Sequence, residues 1–357
     1  MDSLIPSIIV TGASGVVGRN FIGSAKGKFL IYAVARRSQV EAGVPYHPNI
    51  KWVRVDIADF NTLKTRVLDN LYCIKPGKPA VDFVLHLASY YDYNYTPNVE
   101  YERTNVRGTY HMLELSKMLN VRRFVFSSSV AAVKFPPKGK RVTEIYPASA
   151  SHPYADSKRK GENLVKEYSR YFPCSVVRSA AVFTDWCEYT LLYHFLERWL
   201  SCKWGRRVLC GKGECAIPFI HARDLNNLLL ILFRESDRLP VFDVYIAGPD
   251  GSTSNRELFY SATTLYFGQE VKPQLLPLWL AVPLVVIRDI LMRLCGKRPF
   301  ERPWMLKYVD RKLEIDSSYT RSVLSWEPDP QLHILRRMNF IIENFKNRPD
   351  EMARANL

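Results

Sequence analysis

The sequence predicts an α/β fold, a doubly wound parallel sheet joined to a smaller, mostly C-terminal second domain. Three observations carry this reading. Short apolar runs alternate with polar, helix-like stretches through the first half of the chain. A glycine-rich turn, TGASGVVG, follows the first of those runs directly. Beyond Trp186 the alternation gives way to segments rich in aromatics and leucine.

The elements follow in order. SIIV from Ser7, LIYAV from Leu30, WVRV from Trp52, DFVLHLA from Asp82, RFVFSSS from Arg123 and SVVRSA from Ser175 read as strands. Each is brief, β-branched or aromatic, and bounded by turn residues. Near-continuous apolar strands are those of a parallel sheet covered on both faces. In YERTNVRGTYHMLELSKM, the spacing of Val106, Tyr110 and Leu113 predicts one buried helix face. PPKGK at Pro136 reads as a loop. The run VLCGKGECAIPFIHARDLNNLLLIL from Val208 gives a strand, a glycine turn, a second strand and a helix, and VYIAGPDG from Val244 one more strand and turn. The most apolar segment is LLPLWLAVPLVVIRDILMRLCG from Leu275, uncharged as far as Ile287 and broken by Pro277 and Pro283. A bilayer span needs about 20 apolar residues, so the segment is expected to cap a pocket, dip into a membrane interface or pack as a buried helix. The expected division is residues 1–182 and 206–248 in one domain, and 183–205 and 249–357, with the apolar segment 275–294, in the other.

Composition narrows the class. The 357 residues are 47% hydrophobic, enough for a sizeable core. The formal net charge of +15 fits a solvated basic surface, phosphorylated ligands or an acidic membrane surface. No nucleic-acid motif or basic run with interleaved aromatics is present, so nucleic acid is not an expected partner. Seven cysteines (Cys73, Cys174, Cys187, Cys202, Cys210, Cys215 and Cys295) include no CxxC pair, so free thiols are expected and a metal is not. The opening MDSLIPSIIVTG lacks a basic stretch followed by a long apolar run. A cytoplasmic protein is expected, with membrane association through 275–294 as an addition.

Gly12, Gly15 and Gly18 sit where a strand ends and a helix opens. There the backbone must turn sharply and approach a pyrophosphate, and the helix N-terminus offers free N–H groups. This predicts dinucleotide binding. An NAD protein usually carries an acid about 20 residues beyond such glycines. Here Arg36 and Arg37 stand in AVARRS, and arginine suits a 2′-phosphate, so NADP is expected, with NAD as the alternative. The rival is that both arginines are merely solvated. Asp56 in RVDIAD is placed to accept from an adenine amino group, and a helix N-cap is its rival.

Tyr154 and Lys158, in HPYADSK, share a helix face at i and i+4. A tyrosine near pKa 10 is a poor base, and an adjacent ammonium is expected to favour the phenolate. Ser127, Ser128 and Ser129 end the fifth strand at the sheet's C-terminal edge, where a hydroxyl can hold a substrate oxygen.

In these pieces the chain resembles the extended short-chain dehydrogenase/reductases from Ser7 to about Pro330. TGASGVVG, VDIAD, HLAS, TNVRGT, FVFSSS, YADSK, FIHARDL and WEPDP carry the resemblance. It implies a Rossmann domain of about seven strands and a smaller substrate domain. It assigns Tyr154 as acid/base, Lys158 as its activator, Ser129 as the substrate-binding hydroxyl and Asn105 as the residue ordering water and backbone near the lysine. Ala88 and Ser89 would line the cofactor. Ser14, Val16, Val17, Ile57, Leu87, Ser127, Ser179 and Val182, together with Tyr154 and Lys158 themselves, complete the cofactor contacts expected on this basis. A homodimer is the fold-level expectation.

Three departures stand out. The family's common Arg-Pro pair after the sixth strand is Arg178-Ser179 here, so that loop is expected to differ in shape. Ile217 stands where nucleotide-sugar members carry a diphosphate-gripping arginine, although Arg206 or Arg207 could still reach a diphosphate. Val130 and Ala131 replace the acidic pair of sugar dehydratases, so dehydration is not expected. The C-terminal part is similar to the 3β-hydroxysteroid dehydrogenase branch, through Leu275 to Leu294, Tyr319 and LSWEP at Leu324. The leading expectation is therefore an NADP(H)-dependent oxidoreductase interconverting a secondary alcohol and a ketone on a hydrophobic, steroid- or lipid-like substrate. A nucleotide-sugar epimerase or reductase is the alternative, and a non-catalytic dinucleotide sensor the third reading.

Overall fold

A computed structural model describes residues 5–72, 80–93, 96–296, 299 and 301–355. Six strands arise where the apolar runs predict them: β1 (Ser7–Thr11), β2 (Leu30–Ala35), β3 (Ile50–Arg54), β4 (Phe83–His86), β5 (Arg123–Ser129) and β6 (Cys174–Ser179). A seventh, Phe242–Ala247, pairs with β6. The sheet order is Phe242–Ala247, β6, β5, β4, β1, β2, β3, and every pairing is parallel. The chain moves outward from β1 through β3, then returns to β4 on the other side of β1. That reversal opens a crevice at the strands' C-terminal ends, where ligands bind in such sheets.

Side chains alternate across each strand, so one sheet feeds two cores. Ile8, Val10, Ile31, Ala33, Leu85 and Val125 face α1 (Val16–Ala25) and the later helix Ala222–Arg234. Ile9, Tyr32, Val34, Val84, Phe124 and Phe126 face α2 (Phe60–Tyr72), α3 (Gly108–Leu119) and α4 (Pro153–Tyr168). A third cluster, including Phe183, Leu192, Leu196, Trp199, Phe259, Ile334 and Met338, lies outside the sheet. It joins α5 (Thr190–Trp199) to the helices Asn255–Phe267 and Ile334–Asn347.

Two expectations need correction. Residues Tyr101–Arg107 before α3 are π-helical. The wider turn shifts the phase, so Thr109, Met112, Leu113 and Ser116 are buried while Tyr110 is exposed. The apolar segment forms the helix Leu278–Leu294 with Pro283 inside, and only Ala281 and Asp289 on it are buried. It is not a core helix. No helix among the described residues is long and apolar enough to cross a membrane. Cys73 lies outside the described residues, and the other six cysteines are free thiols.

Candidate active site

The site grows from the end of β1. Gly12 takes φ +67°, and a Cβ there would meet the backbone of Ala88 at 2.7 Å. Glycine is required on both counts. Gly15 N–H donates to the Gly12 carbonyl at 2.9 Å, closing the turn. A Cβ on Gly18 would strike that same carbonyl. Gly15 caps α1 with no side-chain partner, which leaves the first-turn N–H groups facing outward. Val16 and Val17 line the large cleft in front of the sheet, of about 1560 Å³, together with Leu87, Ser89, Ser127, Ser179 and Val182.

A directional chain that the sequence reading did not pick out holds this turn. Thr11 Oγ1 lies 2.7 Å from His86 Nδ1, and His86 Nε2 lies 3.0 Å from Thr109 Oγ1. Thr109 donates onward to the Asn105 carbonyl at 2.6 Å. Thr11 Oγ1 also accepts from the N–H groups of Leu87 and Ala88. Burial drives the His86 imidazolium down to about 3, so the ring is neutral and donates in one direction only. The glycine turn, the β4 loop and the asparagine are thereby fixed to each other.

Arg36 and Arg37 are exposed at the end of β2. Arg37 reaches back to the Ser14 carbonyl at 3.0 Å, which sets its guanidinium beside the glycine turn. Asp56 accepts from Ala58 N–H at 2.9 Å and pairs with Arg103 at 2.5 Å. Its carboxyl lies below the ordinary range: burial opposes ionisation, but the Ala58 and Arg103 hydrogen bonds outweigh it. The Asp56 side chain thus has local partners of its own. Ile57 is a core side chain at 5% exposure, packed where Gly108 leaves room.

Tyr154 and Lys158 rise from the first turns of α4. His152 caps that helix through its ring, accepting from Ala155 N–H at 3.1 Å, while Nε2 reaches the Ala131 carbonyl at 3.0 Å. This cap brings the turn after Ser129 against Tyr154. Ser129 Oγ accepts from Ala131 N–H at 3.1 Å, and its hydroxyl lies near enough to Tyr154 to favour the phenolate. Lys158 Nζ donates to the Ser127 carbonyl at 2.8 Å and lies 5.6 Å from the Tyr154 ring centre. Strand alternation separates the three serines. Ser127 and Ser129 face the cleft side, while Ser128 is buried and donates to Glu162 at 2.5 Å. Asn105 donates to the Tyr90 carbonyl and Ser157 Oγ, both at 2.9 Å, so it braces the loop after β4 and the residue next to Lys158.

The electrostatics differ from the sequence expectation. Burial raises the Tyr154 phenol above its ordinary value, and the nearby Ser129 hydroxyl only partly offsets this. Burial also lowers the Lys158 ammonium to about 8, with Glu162 pulling the other way. Desolvation acts on both groups and outweighs the mutual benefit that their spacing suggests. The arrangement keeps a neutral phenol beside a weakly held ammonium, which suits proton delivery.

The outer cleft holds residues the motifs did not name. Tyr91 packs edge-on against Tyr154 at 4.9 Å. Ile217 lines the wall, and Ala216 beside it accepts and donates backbone hydrogen bonds with the 311–313 segment. That pairing brings Arg311 to the same wall, near Phe135. Lys203, Arg206 and Lys307 also line the cleft. Arg207 does not: its Nε donates to the Lys272 carbonyl at 2.8 Å. No motif in the sequence marks Arg311 or Lys307. Arg178 lies within β6, buried against Glu162 at 2.8 Å.

Residues 8–248 match the NAD dependent epimerase/dehydratase family. A dTDP-D-glucose 4,6-dehydratase of Dictyostelium discoideum is 22% identical over 280 residues, which are 72% of this chain and 61% of that protein. The chain thus spans less than two thirds of that relative. A putative UDP-glucose 4-epimerase of Methanocaldococcus jannaschii is 28% identical over 71% of this chain and 80% of that one. Among solved structures, Thermotoga maritima UDP-glucose 4-epimerase with UDP-glucose superposes with a TM-score of 0.69, at 19% identity over 96% of this chain and 100% of the other. A dTDP-glucose 4,6-dehydratase of Bacillus anthracis in complex with NAD gives 0.72, at 18% identity over 98% and 99%. The fold is the one these proteins share. Matched over more than half of its length, and with the glycine turn, serine-ended strand and Tyr154–Lys158 pair assembled at one crevice, the chain belongs to the NAD dependent epimerase/dehydratase family, within the extended short-chain dehydrogenase/reductases.

Proposed function

We propose that this enzyme oxidises or reduces a carbinol on a substrate carrying a diphosphate, in the manner of a nucleotide-sugar epimerase or reductase. One observation carries the reading. The Ser129–Tyr154–Lys158 group opens into a cleft whose lining includes Lys203, Lys307 and Arg311, beside Glu197 and Glu301. Cations there would balance a diphosphate, and Arg311 supplies the guanidinium that Ile217 does not. The nucleotide-sugar relatives favour this substrate class over the steroid-like one expected from the sequence.

The residues fit a dinucleotide. Gly12 and Gly18 leave backbone room that any Cβ would fill, and the N-terminus of α1 presents free donors. Exposed Arg36 and Arg37 favour NADP over NAD. The bound nicotinamide supplies the hydride acceptor or donor. Tyr154 exchanges the proton of the substrate hydroxyl, Ser129 holds the oxygen as charge develops, and Lys158 steadies the phenolate. Asn105 positions the loop and helix around them. Val130 and Ala131 offer no acid for a leaving hydroxyl, so the reaction stops short of dehydration. The third hydrophobic cluster would form the core of the substrate domain.

A second reading rests on the helix Leu278–Leu294, whose Leu284, Ile287 and Leu291 line the same cleft. They suit an apolar alcohol or ketone, as in the 3β-hydroxysteroid dehydrogenase branch. The experiment offers UDP- and dTDP-hexoses and apolar ketones in turn, with NADPH and NADH titrated by fluorescence. Epimerisation or reduction of a nucleotide-sugar, lost in Tyr154→Phe, is expected. Turnover of apolar ketones alone transfers the assignment to the second reading, and turnover of neither refutes both. Arg36→Ala with Arg37→Ala is expected to weaken NADPH and spare NADH.

A further inference from the structure

Water-exposed helices normally turn a polar face outward. The helix Leu278–Leu294 does not. Trp279 is 77% exposed and Leu294 80%, and Val282, Leu284, Ile287, Ile290 and Leu291 are exposed as well. Its inner seam is narrow, with Ala281 and Asp289 the buried positions. A contiguous apolar surface of this kind marks an interaction site.

A second hydrophobic group adjoins it. Trp204 is fully exposed in the loop before the strand Val208–Cys210. That strand pairs with Gln274–Leu276, which leads directly into the helix. Arg207 also bonds the Lys272 carbonyl at 2.8 Å and Gln274 N–H bonds the Arg207 carbonyl at 2.7 Å, so loop and helix start are tied together.

The charge around this surface is net positive. Lys203, Lys272, Arg288 and Arg293 are exposed on it. Between residues 271 and 296 the one carboxylate is Asp289, which is buried and paired with Arg293 at 2.7 Å. Glu301 offsets Arg288 in part. Seating a second copy here would set these cations against their own equivalents in a chain of net charge +15. An anionic lipid surface offers the opposite charge and an apolar interior for the tryptophans and leucines.

We propose that the face formed by the helix Leu278–Leu294 and the Trp204 loop docks on an anionic lipid surface, and that the cleft opens toward that surface. Leu284, Ile287, Leu291 and Trp204 line the cleft as well as the exposed face, so the two features meet at one rim. The substrate class that fits both walls is an amphiphile: an oxygenated, diphosphate-bearing head for the basic wall and an apolar chain for the helix. This last step rests on the function proposed above, while the docking itself does not.

The test is flotation of the full chain with vesicles of phosphatidylcholine containing phosphatidylglycerol, and of phosphatidylcholine alone. Binding to the anionic vesicles, reduced in high salt, is expected, with at least about tenfold weaker partitioning for the Trp279→Glu, Ile290→Glu variant. Neither residue lines the cleft, so that variant should turn over a water-soluble nucleotide-sugar as wild type does, and melt normally. Wild type that stays in solution with every vesicle overturns docking, whatever the turnover result. So does a variant that floats as well as wild type, or sedimentation showing that the same substitutions dissolve a dimer while vesicle binding is absent. If vesicles bind and no diphosphate substrate is turned over, the function fails and the docking stands.

Discussion

Glu162 is the residue whose removal tests the site's architecture most directly. Its side chain is 10% exposed and that of Arg178 5%. Oε1 accepts from Ser128 at 2.5 Å and from Arg178 Nε at 3.0 Å, and Oε2 accepts from Arg178 Nη2 at 2.8 Å. Arg178 is otherwise held by the Glu144 and Tyr146 carbonyls. In Glu162→Gln, shape and one acceptor oxygen remain. The charge is lost, and one Arg178 N–H faces an amide nitrogen. Leaving a buried cation without its counter-ion costs about 3–5 kcal/mol, and the retained oxygen places this variant near the lower end. At about 2 °C per kcal/mol for a large domain, melting should fall by roughly 6 °C. The double variant Glu162→Gln, Arg178→Met removes both charges and should recover at least half of that loss, because a buried pair is worth little net of its desolvation. Scanning calorimetry of wild type, both single variants and the double variant gives the cycle. A single variant melting within 1 °C of wild type, or a double variant losing the sum of the two, would refute the argument.

Other outcomes follow from the same geometry. Tyr154→Phe should lower turnover by about 10²–10⁴ while leaving dinucleotide affinity intact, measured by single-turnover kinetics beside a fluorescence titration. In the reducing direction, kcat/KM should fall above about pH 8 as Lys158 loses its proton, since burial has lowered that group and the ammonium is the form present below this value. Glu162→Gln should move that fall to lower pH, because the carboxylate raises the lysine, and a pH profile that does not move would sever the link. Gly12→Ala should cost more than about 1 kcal/mol and abolish dinucleotide binding, from its positive φ and the Ala88 backbone. Gly23→Ala, in open space on α1, should stabilise by about 0.5–1 kcal/mol, and chemical denaturation separates the two glycines.

The sequence by itself determined the sheet, the glycine turn and the Tyr154–Lys158 pair. These are local: strand runs, a turn that only glycine tolerates, and a four-residue helical spacing are written in neighbouring residues. Tertiary structure decided what depends on distant segments. The phase of the helix after Tyr101 changed because a π-helical turn inserts extra backbone before Gly108. The phenol and ammonium shifted through burial by surrounding elements, which no spacing encodes. The chain from Thr11 through His86 and Thr109 to Asn105 joins three elements far apart in sequence. Arg311 reached the wall beside Ile217 only because its segment pairs with Ala216. The helix Leu278–Leu294 is apolar enough for a core, yet the third cluster is filled by Phe259, Ile334, Met338 and their neighbours, and the helix is left on the surface. Hydrophobicity states what a segment prefers to leave, and only the assembled fold states which surfaces remain for it to meet.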